Sequence, residues 1–422
     1  MTAIGAIIGL LLAIFLIIKK IAPAYAMIAG AVVGGLLGGF SLADTVGMMI
    51  EGINDLSSAI LRVLAAGVLS GVLIATGAAE TISNSIVRVL GEKQVYLALA
   101  LSTMLLCAAG VFIDVAVITV APIALTLGSR LGISRAVLLI AMIGGGKCGN
   151  IISPNPNTII AAENFGASMS TVIFYNLLPA TIGLIFTVFL VKLIPQKNIA
   201  RSDRNTETQS KNLPPLWSSL MAPIVTLLLL SARPLLGYTI DPLIAMPAGG
   251  LVGILCMKQW KNTVSCMTLG LQKMSGVAIL LIGTGTIAGI IKSSSLKDWI
   301  LQILSDMNIS DALIAPISGA LMSAATASTT AGATLASASF ADTLLSLGIS
   351  AAWGAAMVNS GATVLDHLPH GSFFHATGGV CELTFRERLR LIPYECLIGG
   401  VLAVLSTLLF MIISGAIKTT SL

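Results

Sequence analysis

Long apolar runs dominate this chain and limit what it can fold into. A helix needs about 20 apolar residues to cross a hydrocarbon core of about 30 Å. Hydrophobic residues make up 56% of the 422 residues and charged residues only 10%, and the mean hydropathy is +0.98. The runs therefore predict an all-α polytopic membrane protein. They argue against a β-barrel, whose strands would alternate polar and apolar residues.

Two of the runs, at 94–128 and 311–345, are too long for a single span. We expect each to form a re-entrant hairpin, because single spans would place Arg130 on the opposite face of the membrane from Arg88. Cytoplasmic loops are enriched in Lys and Arg, and the hairpins bring most of these residues to one side. This arrangement gives about ten spanning helices plus two hairpins, with both termini in the periplasm.

The two halves of the chain resemble each other. The sequence Leu-Gly-Ile-Ser occurs at 131–134 and again at 347–350, and in both halves it lies between a long apolar run and a glycine-rich helix with a polar break. The polar segment 195–215 is predicted to be a cytoplasmic linker. We expect the halves 1–194 and 216–422 to be inverted repeats, an arrangement common in secondary transporters.

A polar break interrupts the predicted helix 136–165. Pro154 and Pro156 stop helical hydrogen bonding there, and a polar break within the membrane is expensive unless it lines a cavity. Lys147, just before the break, could be the counter-charge of an anionic substrate or could reach an interface. A loop outside the membrane is the alternative reading of the break. The substrate-binding candidates here are Lys147, Ser153, Asn155, Asn157 and Thr158.

The corresponding break in the second half lies in the predicted helix 351–376 and carries histidines. His367 and His370 follow Asp366, with no cysteine or further carboxylate near them. We therefore expect no metal. A histidine beside an aspartate suits substrate binding or proton exchange near neutral pH, and polar packing is the alternative. His367 and His370 are candidates for substrate binding, and Asp366 and His367 for proton coupling.

The tips of the two predicted hairpins supply the remaining candidates. Asp114 is the only acidic or basic residue of the first hairpin, where an uncompensated charge would be costly. It is a candidate for proton coupling, or else a structural partner of Lys147 or Arg62. The second tip, 324–334, is rich in hydroxyls that could bind a polyol or carboxylate, or simply allow close packing. The substrate-binding candidates there are Ser328, Thr329 and Thr330.

Three of these segments match motifs of one known family. The stretch Pro-Asn-Pro-Asn-Thr at 154–158 is similar to Pro-His-Pro-Gly-Pro, Phe-Ile-Asp at 112–114 to Phe-Phe-Glu, and Asp-His-Leu-Pro-His-Gly-Ser-Phe at 366–373 to Ser-His-Val-Asn-Asp-Ala-Gly-Phe. By these motifs, the sequence resembles the gluconate permease (GntP) family of proton symporters over essentially its whole length. It departs from the family at Asn155, in place of histidine, and at Asp114, in place of glutamate.

The resemblance implies proton-coupled uptake of a small hydroxylated monocarboxylate, such as gluconate or glycerate. It further implies an elevator movement of the hairpin domain, in a homodimer in the bacterial inner membrane. The family resembled belongs to the ion-transporter superfamily, and a sodium-coupled di- or tricarboxylate carrier or a cation/proton antiporter of that superfamily is the alternative, so the coupling ion is H⁺ or else Na⁺. The sequence contains no His-Glu-x-x-His pair, and we expect neither an enzyme nor a cofactor nor a nucleic-acid partner.

Overall fold

A computed structural model describes residues 3–19, 21–194, 213–230, 240–295, 311–369 and 371–420, and these ranges contain helices but no strand. This confirms the predicted all-α fold. The helices of the first half are α1 Ala3–Ile18, α2 Pro23–Leu37, α3 Leu42–Asp55, α4 Ser57–Ala75, α5 Ala78–Leu90, α6 Val95–Ala108, α7 Ile113–Leu131, α8 Arg135–Asn150, α9 Pro156–Asn164 and α10 Met169–Leu193. Those of the second half are α11 Leu216–Leu230, α12 Pro242–Cys256, α13 Thr263–Lys292, α14 Ile314–Thr326, α15 Thr329–Ser346, α16 Ala351–Gly361, α17 Ser372–Val380, α18 Phe385–Leu389 and α19 Ile392–Thr420. Most of the predicted linker, 195–212, lies outside the described residues.

Among the described residues, five helical segments are long and apolar enough to cross a membrane, or six if the bent pair 78–90 and 92–108 counts as one span. They are Ser57–Ala75, Ile113–Leu131, Met169–Leu193, Trp260–Lys292 and Phe385–Gly415. Other apolar helices, such as α2 and α12, have only 15 residues each. The predicted total of about ten spans therefore stays a prediction, because it requires these shorter helices to cross as well.

Each run predicted to form a hairpin is divided into two helices. Residues 109–112 separate α6 from α7, and 327–328 separate α14 from α15. The predicted broken helices are interrupted at 151–155, between α8 and α9, and at 362–369, after α16. Because α7 alone is long enough to span, the re-entry of the first hairpin stays a prediction, as does the inverted relation of the halves.

The repeated Leu-Gly-Ile-Ser turn has the same local structure in both halves. Gly132 and Gly348 follow the ends of α7 and α15 in the left-handed region, with φ of +68° and +81°. Ser134 and Ser350 are then the N-cap residues of α8 and α16. Glycine adopts this backbone conformation without a steric penalty, so four residues suffice to end one helix and begin the next.

The helices form two groups by their contacts. In what we call the scaffold group (α1–α4 and α11–α13), α13 packs against α2, α3 and α4, and α12 packs against α4 and α11. In the hairpin group (α6–α10 and α14–α19), α8 packs against α6, α7 and α10, while α16 packs against α14, α15 and α19. The groups meet where α4 contacts α9 and α13 contacts α15, and α5 contacts both.

Glycines allow the backbones within each group to approach closely. A Cβ at Gly71 of α4 would lie 2.2 Å from the carbonyl oxygen of Cys266 on α13. A Cβ at Gly145 of α8 would lie 1.9 Å from the carbonyl oxygen of Ala100 on α6. Packing through such small residues is typical of helices in membranes. Each group is therefore tightly packed within itself.

Candidate functional site

An open cavity of about 360 Å³ lies where two tips of the hairpin group face α13. The first tip is 109–115 and the second is 326–330. The cavity's volume is at the lower end of the range for small-molecule sites. Its lining from the hairpin group includes Phe112, Asp114, Asn150, Ser328, Thr329, Thr330, Asp366 and Phe373. From the scaffold group, α13 contributes Lys273, Gly276, Val277 and Leu280, whose spacing places them on one helix face.

Two helices begin at this cavity. The N-cap of α7 is Phe112, which provides no side-chain cap, and the N-cap of α15 is Ser328, whose hydroxyl accepts a hydrogen bond from the Ala331 N–H at 3.3 Å. The first N–H groups of a helix have no partner within the helix, and they carry the positive end of its dipole. Together, the two helix starts make this part of the cavity favourable for an anion.

Asp114 lies in the first turn of α7 and is half-buried in the cavity wall. It forms no hydrogen bond or ion pair within the described ranges. The two structural partners considered for it bind other carboxylates: Arg62 pairs with Glu163 and Lys147 with Asp366. A carboxylate without a partner can be neutralised by a proton or by a cationic group of a ligand.

Asp366 connects the cavity to a buried charged cluster. Thr329 Oγ1 donates a hydrogen bond of 2.6 Å to Asp366 Oδ2, and Lys147 Nζ donates to Asp366 Oδ1 and to the Thr363 carbonyl oxygen. His367 Nδ1 lies 3.0 Å from Asp366 Oδ1 and 3.2 Å from Lys147 Nζ. Lys147 and His367 are fully buried and do not line the cavity. Lys147 therefore neutralises Asp366 from behind the cavity wall.

The buried cluster continues away from the cavity. His367 Nε2 lies 3.2 Å from the Ile392 carbonyl oxygen, and His367 Nδ1 lies 3.9 Å from Glu395 Oε2. Arg388 binds both carboxylate oxygens of Glu395. With His367 neutral, the two cations and two carboxylates of the cluster balance. Sequence reasoning missed this pair, although Glu395 is a carboxylate near the start of the apolar run 391–415.

At the first break, Asn155 and Ser153 are buried and bind the protein itself. Asn155 caps α9, because its Oδ1 accepts a hydrogen bond from the Thr158 N–H at 3.2 Å, and its Nδ2 donates to the Asn150 carbonyl oxygen at 3.0 Å. Ser153 donates to the Cys107 carbonyl oxygen. These bonds replace helical bonds lost at the break.

A second set of bonds joins the first break to α16. Asn157 Nδ2 donates to Asn359 Oδ1 at 2.8 Å, and Asn359 Nδ2 donates to Thr158 Oγ1 at 3.0 Å. All three side chains are buried. They hold α9 against α16 and are not in the cavity wall.

The cavity thus brings together five of the predicted site residues. These are Asp114, Ser328, Thr329, Thr330 and Asp366. Lys147, Ser153, Asn155, Asn157, Thr158 and His367 lie outside its lining. His370 lies outside the described residues, so its role stays a prediction. Sequence reasoning missed Asn150 and Lys273. Lys273 directly precedes the apolar run 274–291, and a charge inside a 30-residue helix was the signal that could have revealed it.

Another polar cluster joins the two helix groups. Arg62 of α4 pairs with Glu163 of α9 and, at 2.7 Å, with Asp241, the N-cap residue of α12. Ser58 also donates to Glu163. The hydrogen bonds from Arg62 hold the pKa of Asp241 below its ordinary value. These charges line a smaller cavity of about 190 Å³, but they pair with one another.

Comparisons with known proteins give the family. The profile described as GntP family permease matches residues 1–413. An uncharacterized transporter of Haemophilus influenzae is 52% identical over 97% of this chain and 98% of its own length. A gluconate permease of Zymomonas mobilis is 23% identical over 68% of this chain and 69% of its own. The D-serine transporter DsdX of Escherichia coli K12 is 24% identical over 73% of this chain and 75% of its own.

A solved structure supports the fold. The crystal structure of the YdaH transporter of Alcanivorax borkumensis superposes with a TM-score of 0.66 and 14% sequence identity, covering 96% of this chain and 98% of that one. At this identity the likeness concerns the fold alone. The family match, by contrast, rests on the sequence of nearly the whole chain. The chain therefore belongs to the GntP permease family and is a multi-pass membrane transporter, not an enzyme.

Proposed function

We propose that the protein is a secondary transporter that carries a small hydroxylated monocarboxylate, gluconate or a related sugar acid, together with a proton. Relatives named for gluconate and for D-serine support this substrate class, because both compounds combine a carboxylate with a hydroxyl-bearing carbon chain. The single observation that carries the proposal is the cavity, which combines a carboxylate with no partner among the described residues, two helix N-termini and a cluster of hydroxyls.

Both tips would contact the substrate. The first N–H groups of α7 and α15 would hold the substrate's carboxylate, since helix N-termini favour anions. Ser328, Thr329 and Thr330 would exchange hydrogen bonds with its hydroxyls, because a hydroxyl can both donate and accept. Asn150, which is 4% exposed, offers a further amide in the cavity wall.

Asp114 would carry the coupling proton. When it is ionised, it repels an anion in the same cavity, and when it is protonated, the repulsion is gone. Substrate anion and proton therefore favour each other's binding, which is the linkage that symport requires. Asp366 is less suited to this role because it is held ionised by Lys147, and His367, behind it, would be the second proton site.

The cavity's position suits an elevator movement. It lies between the two helix groups, and most of its wall belongs to the hairpin group. If that group moved as a unit along the scaffold group, the bound substrate would move with it. We place this movement in a homodimer in the bacterial inner membrane, with both termini in the periplasm, as the resemblance and the loop charges imply.

The test is uptake of radiolabelled gluconate into proteoliposomes under an imposed inward proton gradient, with and without sodium. We expect accumulation that needs the proton gradient and not sodium. Asp114→Asn should abolish accumulation but keep exchange of gluconate across the membrane. Asp342→Asn, at an exposed position of α15, is the matched control and should behave as the unmodified protein. Accumulation by Asp114→Asn with unchanged pH dependence would remove Asp114 from the mechanism, and dependence on sodium would favour a sodium-coupled carrier.

A hydroxylated amino acid is the second candidate substrate. The observation that favours it is the carboxylate of Asp114, which has no partner in the part of the chain that the structure describes and could pair with an ammonium group instead of a proton. Competition between unlabelled D-serine and gluconate, measured in the unmodified protein and in Asp114→Asn, separates the two candidates. In Asp114→Asn, D-serine binding would be lost only if Asp114 binds its ammonium group.

A further inference from the structure

Lys273 is a cation in an unusual position. It lies ten residues into α13, about 15 Å along the helix axis, within a segment long and apolar enough to span a membrane. A lysine at such a depth is costly unless it is paired or lines an aqueous cavity. Lys147 is paired with Asp366 and Lys292 with Asp55, whereas Lys273 has no hydrogen-bond or ion-pair partner within the described ranges.

The side chain of Lys273 is exposed and lines the cavity opposite the two tips. Gly276, one turn further along α13, lines the same cavity, and a Cβ placed there would have no atom within 4 Å. The helix face around Lys273 is therefore open toward the cavity. The ammonium group has room for a ligand, and no carboxylate of the described residues neutralises it.

We infer that Lys273 is the counter-charge that binds the carboxylate of the transported substrate. The inference rests on the proposed function and refines its substrate class by a count of charges. Lys147 and Asp366 cancel, so the cavity holds the charges of Asp114 and Lys273. Once Asp114 is protonated, Lys273 leaves a single positive charge, which matches a monocarboxylate. A second carboxylate on the substrate would have no cation.

Lys273 also differs from most of the site in the helix group to which it belongs. The tips and Asp366 belong to the hairpin group, whereas Lys273 belongs to the scaffold group. If the hairpin group moves along the scaffold group, the substrate leaves Lys273 behind. The carboxylate then loses its cation, so the site binds the anion more tightly in the arrangement described here and releases it more readily after the movement.

The first test measures the KM for gluconate uptake in proteoliposomes. Lys273→Gln should raise it at least about tenfold, because a hydrogen bond between charged groups is lost, while Lys273→Arg should keep it within a few-fold. Lys261→Gln is the matched control, since Lys261 is exposed just before α13 and outside the cavity. A KM that is the same in Lys273→Gln and in the unmodified protein would overturn the inference, even though transport of gluconate itself would support the proposed function.

The second test needs no transport. In Gly276→Cys, the new thiol faces the cavity, and its rates of reaction with an anionic and a cationic methanethiosulfonate reagent report the local potential. Adding Lys273→Gln should lower the ratio of the anionic to the cationic rate roughly tenfold. The parent protein with its six native cysteines gives the background. An unchanged ratio would overturn the inference. Absence of gluconate and D-serine uptake in the unmodified protein would refute only the proposed function.

Discussion

Each half of the chain has a broken helix that begins after its Leu-Gly-Ile-Ser turn, but the polar residues of the two breaks are used differently. At the first break, 151–155, the amides and hydroxyls bind one another and the broken backbone, and Asn155 is 1% exposed. At the second break, 362–369, Asp366 accepts a hydrogen bond from Thr329 at the cavity wall. A polar break in an apolar helix is therefore not in itself a ligand site.

The difference follows from charge. Neutral amides at the first break can satisfy the free backbone groups and one another completely. A buried carboxylate needs a cation as well, and Asp366 obtains it from Lys147, on the broken helix of the other half. The first half thus supplies the charge that allows the second break to carry a carboxylate beside the cavity.

The largest expected effect comes from breaking this ion pair. Lys147→Met leaves the buried Asp366 without its lysine counter-charge, with only Thr329 and His367 beside it, and should lower the free energy of unfolding by about 3–5 kcal/mol. Thermal unfolding of the purified protein in detergent measures the loss. Lys192→Met, at an exposed position near the end of α10, is the control and should be close to neutral.

A double substitution sharpens this prediction. Lys147→Met combined with Asp366→Asn removes both charges, so it should be more stable than Lys147→Met alone. If the double variant were as unstable as the sum of the two single variants, the cost would come from packing and not from an uncompensated charge.

A middle-sized effect is expected at the bonds between the two broken helices. Asn359→Leu removes its hydrogen bonds to Asn157 and Thr158 and leaves both partners buried, at a cost of about 1–3 kcal/mol. The measurement is again unfolding in detergent. Adding Asn157→Leu removes one of the polar groups left without a partner, so the double variant should lose less stability than the sum of the two single variants. Strictly additive losses would show that Asn157 and Asn359 do not stabilise each other.

The smallest effect on stability is expected at the cavity wall. Thr329→Val removes the hydrogen bond to Asp366, but Asp366 keeps Lys147 and water in the cavity can replace the hydroxyl, so the loss should be about 1 kcal/mol or less. Its effect should show in binding instead, as a few-fold weaker affinity for gluconate. Thr334→Val, buried on the same helix and outside the cavity, should leave that affinity unchanged.

Much of the local structure could be predicted from the sequence. Local features of the sequence indicate where helices start and stop. These are the prolines at 154 and 156, the glycine and serine of each repeated turn, and the hydropathy of the runs. The charge of Asp114 in an apolar run also marked it as a site candidate. These features depend on the residues next to them in the sequence and on the cost of placing polar groups in lipid, so they can be predicted without knowing the tertiary structure.

The tertiary structure decided which of the polar residues line the cavity. Lys147 meets Asp366 across 219 positions and Asn157 meets Asn359 across 202, and no local pattern specifies these pairs. In the sequence, Lys273 is only a charged residue next to an apolar run. The packing of α13 places it in the wall of the cavity opposite the two tips. The sequence alone determined a helical membrane protein with polar breaks, because hydropathy and backbone propensity are local. Exposure to the cavity depends on which distant helices cover each side chain, so only the folded chain decides it.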